Sequence, residues 1–242
     1  LSTDGSLVAP TSPSQKRFAF VLVAIAVVGA ATLGYVATRP KAGPVAVDPY
    51  LPPAKAEGYL MGKEDAPVKI IEFADFECPA CGQWAMLTEP DLRARLVYTG
   101  IASIRFYDFP LPMHKNTWAA SNAAACANDQ GKFWEMHDHL FYAQDLWNGQ
   151  ATSSPEKKMK GFAKELGLGE KKFGECFESQ VHYPRIKANA AEAERLGVAE
   201  TPSFIIGGQR YPGNMPYDQM KKIVDAELAK LPKADTAAKG AK

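Results

Sequence analysis

Two cysteines separated by Pro-Ala end an apolar run in the stretch IEFADFECPACGQW, and they constrain the local fold more than any other feature of the sequence. Residues 67–76, PVKIIEFADF, predict a strand, because β-branched and aromatic side chains form a nearly continuous apolar run. Proline suits the first position of a helix, since the N–H that it lacks would have no intrahelical partner. We therefore predict a strand that passes into a helix, with Cys78 at the N-cap and Pro79 at the first helical position.

This placement gives the cysteine pair a redox chemistry. A sulfur at an N-cap faces unpaired backbone N–H groups and the positive end of the helix dipole, and both favour thiolate over thiol. Cys81 follows one turn later, close enough to form a disulfide with Cys78. A thiol of low pKa attacks well when reduced and leaves well when oxidised. We predict Cys78 as the nucleophile and Cys81 as the resolving thiol of a redox centre.

Other uses of the cysteine pair are less well supported. A zinc site normally has four ligands, often from two such pairs, whereas the remaining cysteines, Cys126 and Cys176, are not closely spaced. A merely structural Cys78–Cys81 bridge would close too small a loop to gain much entropy. A Cu(I) site that adds a Met or His to the pair remains an alternative of a different functional class. We predict no resident metal and no organic cofactor.

The N-terminal region indicates export. Residues 18–37 carry no charge, and as a helix they would be roughly 30 Å long, which matches the hydrocarbon core of a bilayer. We predict a transmembrane anchor at 18–38, with a cleaved signal segment as the alternative. With either an anchor or a cleaved signal segment, the rest of the chain would be exported to a compartment where disulfides persist. The net charge of +1 gives no electrostatic case for a nucleic-acid partner.

Composition divides the chain into one domain with appendages. The predicted segments are a disordered tail at 1–17, the anchor at 18–38, a proline-rich linker at 39–57, the domain at 58–231 and a flexible tail at 232–242. The elements predicted within the domain are strands at 67–76 and 101–111, a helical block at about 113–197, two short strands around Gly207-Gly208, and a helix at 218–231. This order indicates a small α/β sheet with an inserted α-helical subdomain.

The motif and its surroundings resemble the DsbA family of thioredoxin-fold thiol:disulfide oxidoreductases. The resemblance rests on GKEDAPVKIIEFADFECPACGQW, on QGKFWEMHDHLF and on a Thr-Pro before the late hairpin, and it covers about 58–231. It is greatest for the membrane-anchored or exported branch. It implies a thioredoxin fold, in which a small central mixed sheet carries the helical insertion.

The resemblance also assigns site residues outside the motif. It implies that Thr201-Pro202 is a cis-proline turn that lies against the cysteine pair and offers Thr201 groups to an incoming peptide. It places Glu72 as a buried acid beneath the motif, which could shuttle the proton of Cys81 or raise its pKa. The alternative for Glu72 is a strand-end carboxylate in water.

Two positions depart from the strongest oxidases of this family. Ala80 stands where they carry histidine, so no imidazolium from the motif stabilises the Cys78 thiolate. Thr201 stands where they carry valine, as it does in isomerase-type relatives. We therefore expect a reduction potential between about −120 and −270 mV, nearer the oxidising end.

The other cysteines lie in the predicted helical block. We predict a structural disulfide between Cys126 and Cys176 that joins two helices of the insertion. A second pair that relays electrons is the alternative, although neither cysteine lies in a reactive C-x-x-C setting.

The histidines give weaker indications. His114 follows FPLPM and could approach the site from the loop after the second strand. His137 and His139 are expected on a solvated helix face, with His139 paired to Glu135 four residues earlier.

The combined prediction is a membrane-tethered oxidoreductase that introduces disulfide bonds into exported proteins. Its substrates would be reduced, unfolded exported proteins, and the resemblance implies a quinone-linked membrane protein, DsbB- or VKOR-like, as reoxidant. An isomerase or reductase of the same fold is the alternative enzyme. Residues 39–57 are too short and too rich in proline for the dimerisation domain that proofreading relatives usually add.

Overall fold

The computed structural model describes residues 20–30, 45–46 and 56–232, and it divides into two units, Leu1–Ala42 and Gly43–Lys242. In the first unit, residues 20–30 form helix α1 with exposed side chains. Among the described residues, no helix is long and apolar enough to cross a membrane. The predicted anchor at 18–38 extends past both ends of α1, outside the described residues. The predicted tails and most of the linker lie outside them as well.

A single mixed sheet forms the centre of the second unit. Its six described strands are β1 (Val45–Ala46), β2 (Tyr59–Met61), β3 (Val68–Ala74), β4 (Ala102–Asp108), β5 (Ser203–Ile206) and β6 (Gln209–Pro212). They lie in the order β1-β6-β5-β3-β4-β2. The central strands β3 and β4 are parallel, and the other neighbours are antiparallel. The predicted α/β fold with a small mixed sheet is confirmed.

Helices connect the strands and cover the sheet. The described ones are α2 (Pro79–Leu87), α3 (Glu89–Leu92), the π-helical turn π1 (Arg93–Val97), α4 (Thr117–Asn128), α5 (Phe133–Tyr142), α6 (Gln144–Trp147), α7 (Glu156–Glu165), α8 (Glu170–Ser179), α9 (Tyr183–Arg195) and α10 (Tyr217–Lys230). Helices α4 to α9 all fall between β4 and β5. The predicted helical insertion is therefore confirmed.

Different helices cover the two faces of the sheet, because side chains alternate along each strand. Ile70 of β3 belongs to a buried cluster with Trp84 of α2 and Met220 of α10. Phe73, three residues on, packs with Ala193 of α9 on the opposite face. Trp84 therefore packs α2, the helix that carries the cysteine motif, against one face of the sheet.

The hairpin between β5 and β6 follows the predicted Gly207-Gly208 turn. Both glycines have positive φ, 58° and 74°, which suits the two-residue turn of a hairpin. A Cβ atom added at Gly207 would also collide with the side chain of Glu227. The glycines therefore fix the hairpin that follows Thr201-Pro202.

Strand β2 was not predicted. It has only three residues, too few for a period-two pattern to stand out, and it pairs with the edge of β4. Its Tyr59 ring stacks on Phe133 of α5 with centroids 3.5 Å apart. Tertiary contacts, rather than local sequence, therefore place this strand.

A disulfide joins Cys126 of α4 to Cys176 of α8. Loss of this bond should destabilise the domain, because it closes a loop across a sequence separation of 50 residues. We expect the double variant Cys126→Ser/Cys176→Ser to lose about 2–4 kcal/mol of unfolding free energy. Urea unfolding followed by circular dichroism measures the change. A loss below about 0.5 kcal/mol would contradict a stabilising role for the disulfide.

Candidate active site

The cysteine motif occupies the junction of β3 and α2. Cys78 is the N-cap of α2, with φ −72° and ψ 122°, and Pro79 is the first helical residue. Both cysteines are free thiols in the described structure. Cys78 keeps 7% of its surface exposed, whereas Cys81 is fully buried. A partner thiol can therefore approach Cys78 but not Cys81.

The surroundings of Cys78 stabilise its thiolate. The pKa of Cys78 is lowered from 9.0 to about 6, mainly because the Cys81 side chain donates a hydrogen bond to it. Burial opposes this shift, while the backbone N–H groups of Cys81 and Ala80 add to it. The N–H groups belong to the first turn of α2, as the N-cap position requires.

Cys81 has the opposite acidity. Burial raises its pKa well above the ordinary thiol value, and its hydrogen bond to Cys78 and the Cys78 charge raise it further. One thiol of the pair is therefore a thiolate near neutral pH while the other keeps its proton. Such an asymmetric pair supports attack and release at Cys78 alone.

We expect thiolate absorbance of the reduced protein to titrate with a midpoint near pH 6. The variant Cys81→Ala should raise the midpoint, because the main hydrogen-bond donor to Cys78 is lost. By linkage, the lowered pKa stabilises the folded reduced protein fully above about pH 9, and this gain disappears as the pH falls through about 6. An unchanged midpoint in Cys81→Ala would contradict the assigned cause.

The Thr201–Pro202 peptide bond is cis and lies against the motif. The Cys78 thiol donates to the backbone oxygen of Thr201 at 3.4 Å. The Thr201 hydroxyl is buried and has no hydrogen-bond partner within the described residues. When Cys78 ionises, its sulfur can no longer donate but can accept, and rotation of this hydroxyl would supply a donor.

Two contacts between the helical insertion and the motif have no signal in the sequence. Gln144 of α6 donates from Nε2 to the backbone oxygens of Phe76 and Cys78, at 2.7 and 3.1 Å. The buried carboxylate of Glu77 accepts from the backbone N–H groups of Asn116 and Gly149, at 2.6 Å each. The insertion therefore fixes the turn that presents Cys78.

Asp75 ties a second loop to the same turn. Its carboxylate accepts hydrogen bonds from the backbone N–H groups of Glu77 and Leu111, both at 2.7 Å. His114 lies on this loop and pairs with Asp75 through Nδ1 at 2.7 Å. The hydrogen bond to Asp75 is the main cause that raises the pKa of His114, and the Cys78 charge also contributes. His114 is therefore close enough to Cys78 for the charge of the Cys78 thiolate to affect its pKa.

Glu72 is buried in the middle of the sheet rather than exposed to water. It sits between Phe106 of β4 and Phe204 of β5 in the strand register. Burial raises its pKa well above 4.5, the Glu89 charge raises it further, and Arg93 opposes both. Its Oε2 atom has no hydrogen-bond partner within the described residues. The buried surroundings of Glu72 therefore favour the protonated form of its carboxyl group.

This raised pKa predicts a pH-dependent stability. Above pH 4.5 the unfolded chain releases the Glu72 proton while the folded chain keeps it, so stability falls as pH rises toward the folded pKa. We expect Glu72→Gln to gain stability relative to the wild type by up to about 1.4 kcal/mol per pH unit over that range. Urea unfolding from pH 5 to about 8 measures this difference. A pH-independent difference would contradict the raised pKa.

The prediction of a solvated face for His137 is wrong. His137 is fully buried, with its ring 5.2 Å from Phe106 and 4.9 Å from Phe141. The reason is helical spacing, since residues 133, 137 and 141 are four apart and share the apolar face of α5. His139 does lie nearer the surface, but it pairs with Glu165 at 3.1 Å and not with Glu135.

Comparisons with known proteins agree with this fold and its family. Residues 55–226 match the family model described as thioredoxin. Over 173 residues the chain is 31% identical to the probable disulfide bond formation protein D of Bacillus cereus, covering 70% of this chain and 78% of that protein. The crystal structure of Wolbachia pipientis alpha-DsbA1 has a TM-score of 0.65 at 21% identity, covering 75% of this chain and 94% of that one.

Some relatives are much longer. Over 186 residues the chain is 32% identical to the Na(+)/H(+) antiporter NhaA 1 of Salinispora arenicola, covering 76% of this chain and 26% of the antiporter. The chain therefore spans about a quarter of the length of this relative.

The fold and the unequal acidities of Cys78 and Cys81 together define the class of thioredoxin-fold thiol:disulfide oxidoreductases. Within that class the chain belongs to the thioredoxin family, as a DsbA-like disulfide oxidoreductase. The predicted family is confirmed.

Proposed function

We propose that the protein introduces disulfide bonds into exported proteins through Cys78 and Cys81. The difference in acidity and access between the two thiols carries this proposal. A pKa of about 6 at Cys78 stabilises the reduced pair, with Cys78 as thiolate, relative to the disulfide, which makes the disulfide more oxidising. Because Cys81 is fully buried, a client must react at Cys78.

The reaction transfers two electrons from the client to the enzyme. A client thiolate attacks Cys78 Sγ of the Cys78–Cys81 disulfide, and the S–S bond breaks with Cys81 as the leaving thiolate. A second client thiolate then attacks the client sulfur of the mixed disulfide and releases Cys78 as a thiolate. The client gains one disulfide, and the enzyme is left as a dithiol.

Glu72 is the proposed proton donor to the leaving Cys81. The raised pKa of Cys81 means that its thiolate takes up a proton readily, and the raised pKa of the buried Glu72 favours the carboxyl form that can donate one. The same proton would return to Glu72 when the pair is reoxidised.

Thr201 and the cis-proline Pro202 are the proposed client-binding residues. The Cys78–Thr201 contact brings this backbone to the reacting sulfur. Main-chain hydrogen bonds to an extended client, with few side-chain pockets, would suit many client sequences.

The proposed location is outside the cytoplasm, on a single-pass anchor at residues 18–38. The uncharged composition of that stretch supports the anchor, with cleavage as the alternative. The chain matches about a quarter of a Na(+)/H(+) antiporter, so a related domain occurs within the same polypeptide as a membrane transporter. This also supports a location at the membrane. Reoxidation by a quinone-linked membrane protein, DsbB- or VKOR-like, completes the proposed cycle.

An isomerase or reductase is the second candidate, favoured by Thr201 and by Ala80 in place of the motif histidine. The test mixes oxidised protein with a reduced client of several cysteines, and separately with a client whose disulfides are scrambled. Stoichiometric oxidation of the reduced client supports the oxidase. Repair of the scrambled client without net oxidation would favour the isomerase. Stable Cu(I) uptake by the reduced pair without client turnover would favour a copper-binding module.

A further inference from the structure

The Cys126–Cys176 disulfide has a polar environment on its accessible side. Cys126 is buried in α4, whereas Cys176 in α8 is partly exposed. Asp129 Oδ2 lies 3.5 Å from Cys176 Sγ, and the same oxygen lies 2.8 Å from His182 Nε2. A ring nitrogen of His182 also lies within 4.8 Å of both sulfur atoms. The bond therefore has an accessible sulfur with a carboxylate–imidazole pair beside it.

The Asp129–His182 pair can accommodate Cys126 and Cys176 as two thiols as well as in the disulfide. A disulfide sulfur carries no proton, so the 3.5 Å contact with Asp129 is not a hydrogen bond while the bridge is intact. In the dithiol, however, Cys176 could donate its S–H to that carboxylate without any rearrangement. A carboxylate that holds an imidazole in place is also the arrangement that orients a histidine for proton transfer.

We propose that Cys126–Cys176 is a second thiol–disulfide exchange site, attacked at Cys176 by small thiols, with His182 protonating the sulfur that leaves. Asp129 is a positioning residue that orients His182. The site does not depend on Cys78 and Cys81, and it adds a reversible redox reaction to a bond that also joins α4 to α8.

The exchange has two steps. A small thiolate attacks Cys176 Sγ, the S–S bond breaks, and Cys126 leaves as a thiolate that takes a proton from the His182 imidazolium. A second small thiolate attacks the external sulfur of the mixed disulfide and releases Cys176, which gains a proton from solvent. Two thiols are oxidised to one disulfide, and the protein bridge is reduced by two electrons.

The other charged groups around His182 have partners of their own. Lys172 of α8 donates to the backbone oxygen of Asp129 at 2.9 Å. On α9, Arg185 lies 3.4 Å from Asp108. The remaining pairs on α8 are Glu175 with Lys171 and Glu178 with Lys160. Of these groups, His182 is the one whose ring nitrogen is placed within 4.8 Å of both sulfur atoms.

The test uses the full chain with Cys78→Ala/Cys81→Ala, so that only the second disulfide can react. Reduced glutathione is added under native conditions, and new thiols are alkylated and counted by mass spectrometry. We expect His182→Gln to slow reduction at least tenfold, and Asp129→Asn to slow it several-fold. His139→Gln is the matched control, since His139 also pairs with a carboxylate in the insertion, Glu165.

A pH profile separates proton transfer from loss of structure. The rate per glutathione thiolate should depend on pH in the parent protein and should be independent of pH in His182→Gln. Circular dichroism checks that each variant is folded. If His182→Gln does not fold, the rate of Asp129→Asn is compared with that of the parent protein instead. The proposal is overturned if the bridge is reduced only after denaturant unfolds the chain, or if His182→Gln reacts as fast as His139→Gln at every pH.

Discussion

Replacing Cys81 with alanine is expected to leave the protein covalently attached to its clients. Cys78 keeps the small accessible part of its surface in this variant, but the thiol that would resolve the mixed disulfide is gone. Cys78→Ala should form no client adduct at all, because Cys81 is fully buried with a raised pKa. The reduced variants are mixed with a client that carries a disulfide, so that attack by Cys78 forms the mixed disulfide and releases one client thiol. Non-reducing electrophoresis measures both outcomes, and mass spectrometry locates the bond.

The matched control removes the other two cysteines. Cys126→Ser/Cys176→Ser in the Cys81→Ala background should still form the adduct, provided that the domain is folded at the assay temperature. Adducts on Cys81 in the Cys78→Ala variant would contradict the assignment of Cys78 as the attacked residue.

Replacing Arg93 with methionine should cause the largest loss of stability among single changes to charged residues of the domain. Arg93 lies 3.0 Å from Glu89 and 2.6 Å from Asp138, and the Glu89 side chain is only 1% exposed. The guanidinium also lies near Glu72, whose proton affinity it lowers. Removal of one partner of a buried ion pair leaves an uncompensated charge, so we expect a loss of about 3–5 kcal/mol in urea unfolding.

Two further variants test this reason. Arg93→Met/Glu89→Met should recover much of the loss, because no unpaired Glu89 carboxylate remains. Arg95→Met is the matched control two residues on, since Arg95 pairs with Asp91 at 3.2 Å with both side chains at least half exposed. It should lose less than about 1 kcal/mol. Equal losses in Arg93→Met and Arg95→Met would contradict the buried-pair argument.

The same guanidinium explains why three ligand-type residues near Glu72 do not suggest a metal centre. Glu89, His137 and Asp138 have ligand atoms within 4.8 Å of one another. Arg93 Nη2 already contacts all three, at 3.0 Å from Glu89, 3.3 Å from His137 and 2.6 Å from Asp138. A protein cation therefore occupies the position that a metal ion would take.

Local sequence was sufficient for the parts of the fold that depend on neighbouring residues. The strand before Cys78, the N-cap, the helix and the Gly207-Gly208 hairpin each follow from side-chain pattern and backbone preference. The predicted β-strand at 67–76 and the observed β3 differ only at the ends, where pairing stops. Local chemistry also indicated which cysteine would be the more acidic.

Contacts between distant residues could not be predicted in this way. Gln144 reaches the Cys78 backbone across 66 residues, and Glu77 reaches Gly149 across 72. His137 was misplaced because a polar residue on an apolar stripe has the same local pattern whether it is buried or solvated. The direction of electron flow also depends on a balance of such contacts around Cys78, which no motif specifies.

The reduction potential of the Cys78–Cys81 pair is the most direct test of the proposed oxidase. It can be measured on the full chain by equilibration with glutathione at pH 7, with alkylation to separate this pair from Cys126 and Cys176. The low pKa of Cys78 predicts an oxidising value, above about −160 mV. A value below about −230 mV would mean a donor of electrons and would contradict the proposed oxidase.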